Sequence, residues 1–271
     1  SIRDQLALMV VPLPITPQLQ WQLEAWLLED LGRGDLTAPA LQGCHGAAHW
    51  IAKADGQFCG GVFLKPLVCA LDPLAQVRLL VAEGERVASG QRVLEVEGAA
   101  TALVAVERTA LNLAMRLSGI ATATAALVAG LDGTGVRLAD TRKTTPGLRQ
   151  LEKYAVRCGG GINHRLGLDD AAMLKENHLA WAGGVEAAIT AVRASAPWPA
   201  RVIVEAETEA EAMAAVQAGA DGVLLDEFSP EELATLVPRL RDQARGLDDA
   251  APVVLEASGI HPDALAAYAA T

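Results

Sequence analysis

Aromatic side chains are scarce in this chain of 271 residues, at 4% of the total. Ala, Leu and Val supply most of the 51% hydrophobic content instead. That balance disfavours a β-sandwich and fits small-residue helices packed on buried parallel strands. Cysteine is limited to Cys44, Cys59, Cys69 and Cys158, with no CxxC pair. A chain of this size needs no disulfide framework, so the four are read as reduced thiols. Positive charge is also short: 22 Lys and Arg against 33 Asp and Glu leave a net charge of -11. Such a surface argues against nucleic-acid or anionic-membrane partners. No apolar stretch approaches the length of a membrane span, and the start lacks the basic region and hydrophobic segment of a secretory signal. A cytoplasmic location is therefore expected.

The length suggests about two domains. Leu19, Leu23, Trp26 and Leu27 follow helical spacing, and that helix should stop near Gly32-Arg33-Gly34. Short β runs follow at His49–Ala52, Gln57–Val62, Val77–Leu80 and Arg92–Val96, punctuated by glycine. Glu83 to Leu94 is similar to the hairpins of biotinyl and lipoyl carriers, but no modifiable lysine sits at a hairpin tip. Residues 1–105 read as an N-terminal α/β sandwich-like domain. A long helix is predicted over Val106–Leu131, with Ala110, Leu113, Ala114 and Leu117 as its apolar stripe. Arg108, Asn112 and Arg116 share another face, which for Arg116 reads equally as a solvated stripe.

Beyond that helix, strands alternate with helical segments at Leu148–Arg157, Val185–Ser195, Glu209–Ala218, Glu231–Gln243 and Pro262–Ala270. Fewer than eight units are present, so residues 106–271 should form an open or incomplete parallel α/β barrel. Five strand candidates run into charged residues: Val136–Ala139 into Asp140-Thr141-Arg142-Lys143, Ala171–Leu174 into Lys175-Glu176-Asn177-His178, Val202–Val204 into Glu205, Val223–Leu225 into Asp226-Glu227, and Val253–Leu255 into Glu256-Ala257-Ser258-Gly259. Parallel strand ends converge on one mouth, so these residues should meet there. Cations beside carboxylates suit a polyanionic substrate carried with a divalent metal. Eight of the 22 Lys and Arg lie between Arg137 and Lys175, a local positive field within an acidic protein.

Three segments are distinctive together: Thr141-Arg142-Lys143-Thr144, Gly159-Gly160-Gly161-Ile162-Asn163-His164-Arg165 and Lys175-Glu176-Asn177-His178. With Gly34-Asp35-Leu36-Thr37, Glu107-Arg108-Thr109 and Glu256-Ala257-Ser258-Gly259, they make nearly the whole chain resemble the quinolinate phosphoribosyltransferases, also called nicotinate-nucleotide pyrophosphorylases (carboxylating). The resemblance implies reaction of quinolinate with phosphoribosyl pyrophosphate to give nicotinate mononucleotide, pyrophosphate and carbon dioxide, with Mg2+. It also implies a homodimer or higher homo-oligomer with shared active sites.

By match to the family motifs, Arg108, Arg142, His164, Arg165 and Lys175 would surround the two quinolinate carboxylates, Arg108 from across the dimer. Lys143 would lie near the pyrophosphate, Glu205 and Asp226 would serve the ribose and the metal directly or through water, and Ser258 with Gly259 would meet the 5'-phosphate. Lys143, Lys175, Glu205 and Asp226 are the candidate catalytic residues. Arg149 and Lys153 read as surface helix charges, Glu207 and Glu227 as solvated neighbours, and His178 as a packed histidine. Family members usually continue past the position of Thr271 with a strand and a glycine-containing phosphate loop, so an incomplete phosphate end is expected. Alternative readings are a molybdenum-transport-associated pyrophosphorylase, a Schiff-base aldolase using Lys143 or Lys175, and a catalytically impaired quinolinate-binding protein.

Overall fold

Thr16 opens the first helix among the described residues, α1 (Pro17–Leu31), by accepting from the Leu19 amide at 3.2 Å, and Gly32 with φ 54° closes it. Leu19, Leu23 and Leu27 are its buried stripe, as the spacing predicts. The computed structural model describes residues 10–247 and 252–271; the first nine, read above for a targeting segment, lie outside the described residues. Contacts divide the chain into two units, Ser1–Ala129 with Arg137–Asn163 and Gly130–Val136 with His164–Thr271.

In the first unit, β1 (His45–Ile51), β5 (Arg92–Ala99) and β3 (Gln76–Leu79) form an antiparallel sheet in the order β1-β5-β3. The short strands β2 (Gly56–Gln57) and β4 (Arg86–Val87) pair separately. The predicted strand Gln57–Val62 stops after Gln57, because Gly60 adopts φ 99° and the chain turns through Gly61–Phe63 into α2 (Leu64–Cys69). Gly61 is required there, since a Cβ would stand 2.5 Å from the Phe58 ring.

The strand β5 runs directly into α3 (Ala100–Ala129), longer than the predicted helix at its start. By length and composition α3 could span a membrane, contrary to the sequence expectation. Its stripe of Val106, Ala110, Leu113, Leu117 and Ala121 instead belongs to the unit's core with Leu23, Phe63, Leu67 and Leu94. The compact unit thus includes α3 and α4 (Arg149–Cys158), whereas the sequence was divided at 105/106. The predicted strand Val136–Ala139 is reduced to a single parallel bridge from Ala139 to Ile162.

The second unit carries four parallel strands in the order β6-β7-β8-β9: Ala172–Leu174, Val202–Ala206, Gly222–Asp226 and Val254–Ser258. Helices α5 (Glu176–Ala182) and α6 (Val185–Ser195) connect the first two strands. Then come α7 (Glu209–Gln217), α8 (Pro230–Arg245) and, after β9, α9 (Leu265–Ala269). Thr208 and Ser229 each open their helix through a reciprocal capping box. Val202, Val204, Val223 and Leu225 are buried with Leu233, Leu236 and Leu240 of α8, the pattern of a sheet covered by helices. Among the described residues β6 and β9 are edges, so the α/β sheet is open as expected.

Candidate active site

The strand register of the second unit sets its polar residues side by side. Leu174 pairs with Val204, so Lys175 emerges beside Glu205, and the Lys175 Nζ lies 2.6 Å from Glu205 Oε2. Asp226 pairs with Ser258 at the ends of β8 and β9, and the Ser258 hydroxyl donates to the Asp226 carboxylate. Carboxylate oxygens of Glu205, Glu207 and Asp226 all lie within 4.8 Å of one another. A cavity of about 140 Å³ beside them is lined by Glu176, Leu179, Glu205, Glu207, Thr208 and Glu211.

An all-oxygen set of three carboxylates fits a hard divalent cation, and Mg2+ binds such sites while keeping several waters. Glu207 was read as a solvated neighbour from the sequence; it is exposed, yet it is the third member of this group. Its position two residues after Glu205 was a usable signal, because alternate residues of an extended chain share a face.

His164 Nδ1 accepts from the Arg165 amide at 2.8 Å, which leaves the proton on Nε2, 3.0 Å from Glu256 Oε2. Arg165 donates to the Ala171 carbonyl at 3.0 Å, turning its guanidinium back along the strand leading to Lys175. His178 is exposed rather than packed: its Nδ1 accepts from the Lys175 amide at 3.1 Å and caps α5. Glu227 is solvated as expected and holds a left-handed φ of 60°. Gly259 also has a positive φ of 77°, and a Cβ there would approach the Glu227 carboxylate at 2.9 Å.

In the first unit, Arg142 and Lys143 sit on the loop Thr141–Thr144, half-buried and exposed respectively. The loop is internally braced, with the Lys143 amide donating to Thr141 Oγ1 at 3.0 Å and the Thr144 amide to the Arg142 carbonyl at 2.9 Å. Lys153 is not a surface charge. It is 1% exposed and pairs with Asp140 at 2.5 Å. Arg149 is half-buried and donates to Thr144 Oγ1 at 3.0 Å. Arg116 binds Glu152 through Nε at 3.0 Å, so it belongs to a hydrogen-bonded network rather than a free solvated stripe. Burial alone would raise the Glu152 pKa, but bonds from Arg116 and Thr145 outweigh it and hold the carboxyl below its ordinary range. Arg108 lines a separate cavity of about 330 Å³ with Trp26, Glu29, Asp30, Asn112 and Arg116.

A second buried polar cluster was missed from the sequence. Glu83, 8% exposed, accepts from Gly60 N at 2.8 Å, Val62 N at 3.2 Å and Tyr154 Oη at 3.0 Å. Cys59 and Cys158 lie beside it. A hydrogen bond to Cys158 and burial push the Cys59 thiol pKa up, and burial with the Glu83 charge pushes Tyr154 up, so both stay protonated. Gly34-Asp35-Leu36-Thr37 forms a turn in which the Asp35 carboxylate accepts from the Thr37 amide at 2.8 Å and lies below its ordinary pKa.

Comparison with known proteins agrees along the chain. Residues 35–118 match a family model described as quinolinate phosphoribosyl transferase, N-terminal domain, and residues 120–271 match its C-terminal domain. The chain is 40% identical over 254 residues to a probable nicotinate-nucleotide pyrophosphorylase (carboxylating) of Synechocystis sp., covering 92% of this chain and 84% of that relative. It is also 40% identical over 259 residues to the human nicotinate-nucleotide pyrophosphorylase (carboxylating), covering 94% and 83% respectively. A crystal structure of NadC from Streptococcus pyogenes superposes with a TM-score of 0.84 at 37% identity, covering 94% of this chain and 88% of that one.

Proposed function

This chain belongs to the quinolinate phosphoribosyltransferase family, and on that premise we propose that it transfers a phosphoribosyl group to quinolinate with loss of carbon dioxide, in de novo NAD biosynthesis. The products are nicotinate mononucleotide, pyrophosphate and carbon dioxide. The observation that carries the reading is the row of strand ends where Lys175, Glu205, Asp226 and Ser258 stand in adjacent registers, with Glu207 completing an acidic group.

Quinolinate brings two carboxylates, and the cations Arg108, Arg142, Arg165 and Lys175, with the imidazole of His164, are assigned to them. His164 takes this role by exchanging Glu256 for a substrate carboxylate, since its Nε2 lies 3.0 Å from Glu256 Oε2. Lys143 is assigned to the pyrophosphate. Glu205 and Asp226, with Glu207, are assigned to Mg2+ and the ribose hydroxyls. When bound, Mg2+ supplies electrostatic stabilisation of the departing pyrophosphate oxygens. Ser258 commits its hydroxyl proton to Asp226 and its amide, by the β8–β9 register, faces β8, so it orients that carboxylate and leaves the backbone N–H at Gly259 for the 5'-phosphate.

The chemistry needs no side-chain nucleophile. As the C1'–pyrophosphate bond breaks, positive charge grows on the ribose and the pyridine nitrogen takes its place at C1'. Loss of the adjacent carboxylate as carbon dioxide then leaves an electron pair on ring C2, which the neighbouring ring cation stabilises until a proton from water is taken up at C2 to give nicotinate mononucleotide. The protein's contribution is orientation, charge complementarity and exclusion of water. In this reading the enzyme is cytoplasmic and a homodimer, with Arg108 serving the partner's site.

The test is nicotinate mononucleotide formation followed by chromatography. Product that requires quinolinate, phosphoribosyl pyrophosphate and Mg2+ together supports the proposal. Quinolinate binding without product under any Mg2+ concentration would overturn it in favour of a binding protein.

A further inference from the structure

We propose that Glu152 and Lys153, neighbours on α4, are positioning residues that clamp the two ends of the Thr141–Thr144 loop and so set its cations in place. The inference rests on the reading above that Arg142 and Lys143 meet the substrates. Neither Glu152 nor Lys153 touches a substrate in this account; they act through the loop.

The leading end of the loop is Asp140. Its carboxylate is 7% exposed and takes Lys153 Nζ at 2.5 Å on one oxygen and Asn163 Nδ2 at 2.7 Å on the other. Asn163 also donates to the Lys153 carbonyl at 2.8 Å, and the Asp140 amide donates to the Ile162 carbonyl at 3.1 Å. The trailing end is Thr145. Its amide donates to Glu152 Oε2 at 3.1 Å, while Arg116 bonds both the Thr145 hydroxyl at 2.5 Å and Glu152 Oε1 at 2.5 Å. One turn of one helix therefore holds the residues immediately before and after Thr141–Thr144.

That arrangement addresses a physical problem. Arg142 and Lys143 are adjacent cations that repel each other, and each is rich in rotamers. A loose loop would scatter them, and ordering it on binding would subtract from affinity. Fixing both ends in a hydrogen-bonded network, buried at Asp140, removes part of that cost in advance. The use of a buried ion pair is consistent with positioning, because an apolar pair of equal volume often gives equal or better stability without fixing a register. Asn163 extends the effect: His164 and Arg165 follow it directly in sequence, so the Asp140 carboxylate ties the roots of both candidate quinolinate-binding segments.

The experiment compares the full wild-type chain with Glu152→Gln, Asp140→Asn and Lys153→Met. Steady-state kinetics are measured together with thermal midpoints and hydrogen–deuterium exchange read by mass spectrometry. Glu152→Gln keeps size and leaves Lys153 in place, so it stays informative if the other two variants fail to fold. The expected result for it is faster exchange confined to residues 141–145 and a KM for quinolinate raised about tenfold with kcat within about twofold. Exchange at 141–145 equal to wild type would overturn the proposal. So would exchange and kinetics declining together across all peptides in step with the thermal midpoint, which is what a purely structural role gives. If the wild-type chain makes no product, the functional reading fails, and the exchange pattern alone decides whether the clamp exists.

Discussion

Replacing Tyr154 with Phe removes one oxygen and little else, which makes it a clean probe of the buried Glu83 cluster. The ring's edge contact with Phe63 at 6.1 Å and the Arg157 guanidinium at 5.4 Å from its centroid both survive the change. Only the 3.0 Å bond to Glu83 Oε2 is lost. A hydrogen bond to a charged group contributes about 1.5 to 3 kcal/mol. At about 2 to 4 °C per kcal/mol for a chain near this size, the thermal midpoint should fall by about 3 to 12 °C. Glu83→Gln should cost more than Tyr154→Phe. Each carboxylate oxygen of Glu83 faces a backbone donor, Gly60 N or Val62 N, so an amide NH2 must meet one of them. That strands a buried donor in addition to weakening the remaining bonds. The assay is urea and thermal denaturation of wild type and both variants, followed by tryptophan fluorescence and circular dichroism. A Tyr154→Phe shift below about 1 °C, or a Glu83→Gln variant more stable than Tyr154→Phe, would refute the reasoning.

Three further outcomes are expected. In the native protein an aromatic disulfide reagent should modify Cys44, which is exposed, and spare Cys59 and Cys158, which are buried; unfolding should expose all four thiols. Mass spectrometry of the labelled peptides checks this. Glu152 has a folded pKa below its ordinary value of 4.5, so its contribution is full above that pH and is lost as pH falls through the lower folded value. Glu152→Gln should therefore flatten the stability profile below about pH 4.5, measured as thermal midpoint against pH, and a parallel profile would contradict the pair. Glu207→Ala should raise the Mg2+ concentration needed for half-maximal rate by severalfold while leaving the thermal midpoint near wild type, because Glu207 is exposed. An unchanged Mg2+ requirement would remove Glu207 from the acidic group.

Much of the second unit was legible in the sequence because parallel strands announce themselves. Val202–Val204 and Val223–Leu225 are short apolar runs that end directly in acids, and both became central strands. Helices with strong ends were also readable, as Thr208 and Ser229 each sit three residues before a glutamate in a capping box. What failed was burial of charge. Leu151 to Ala155 of α4 are buried in succession, so the helix has no polar stripe to mark Lys153 as internal. Its partner Asp140 lies on another element, and no local pattern reports that. Gln57–Val62 misled for a related reason: its apolar composition fits a strand, whereas Gly60 and Gly61 turn the chain. Glu83 looked like an ordinary hairpin acid beside Gly84, and only the fold brings the Gly60, Val62 and Tyr154 donors to it.

The most direct test of the central claim is release of labelled carbon dioxide from quinolinate carrying the label in its 2-carboxyl group, with pyrophosphate counted in the same reaction. Equal amounts of both are expected, only when phosphoribosyl pyrophosphate and Mg2+ are present, and no pyrophosphate when nicotinate replaces quinolinate. Pyrophosphate release with nicotinate, or carbon dioxide release without phosphoribosyl pyrophosphate, would contradict a transferase that couples glycosyl transfer to decarboxylation.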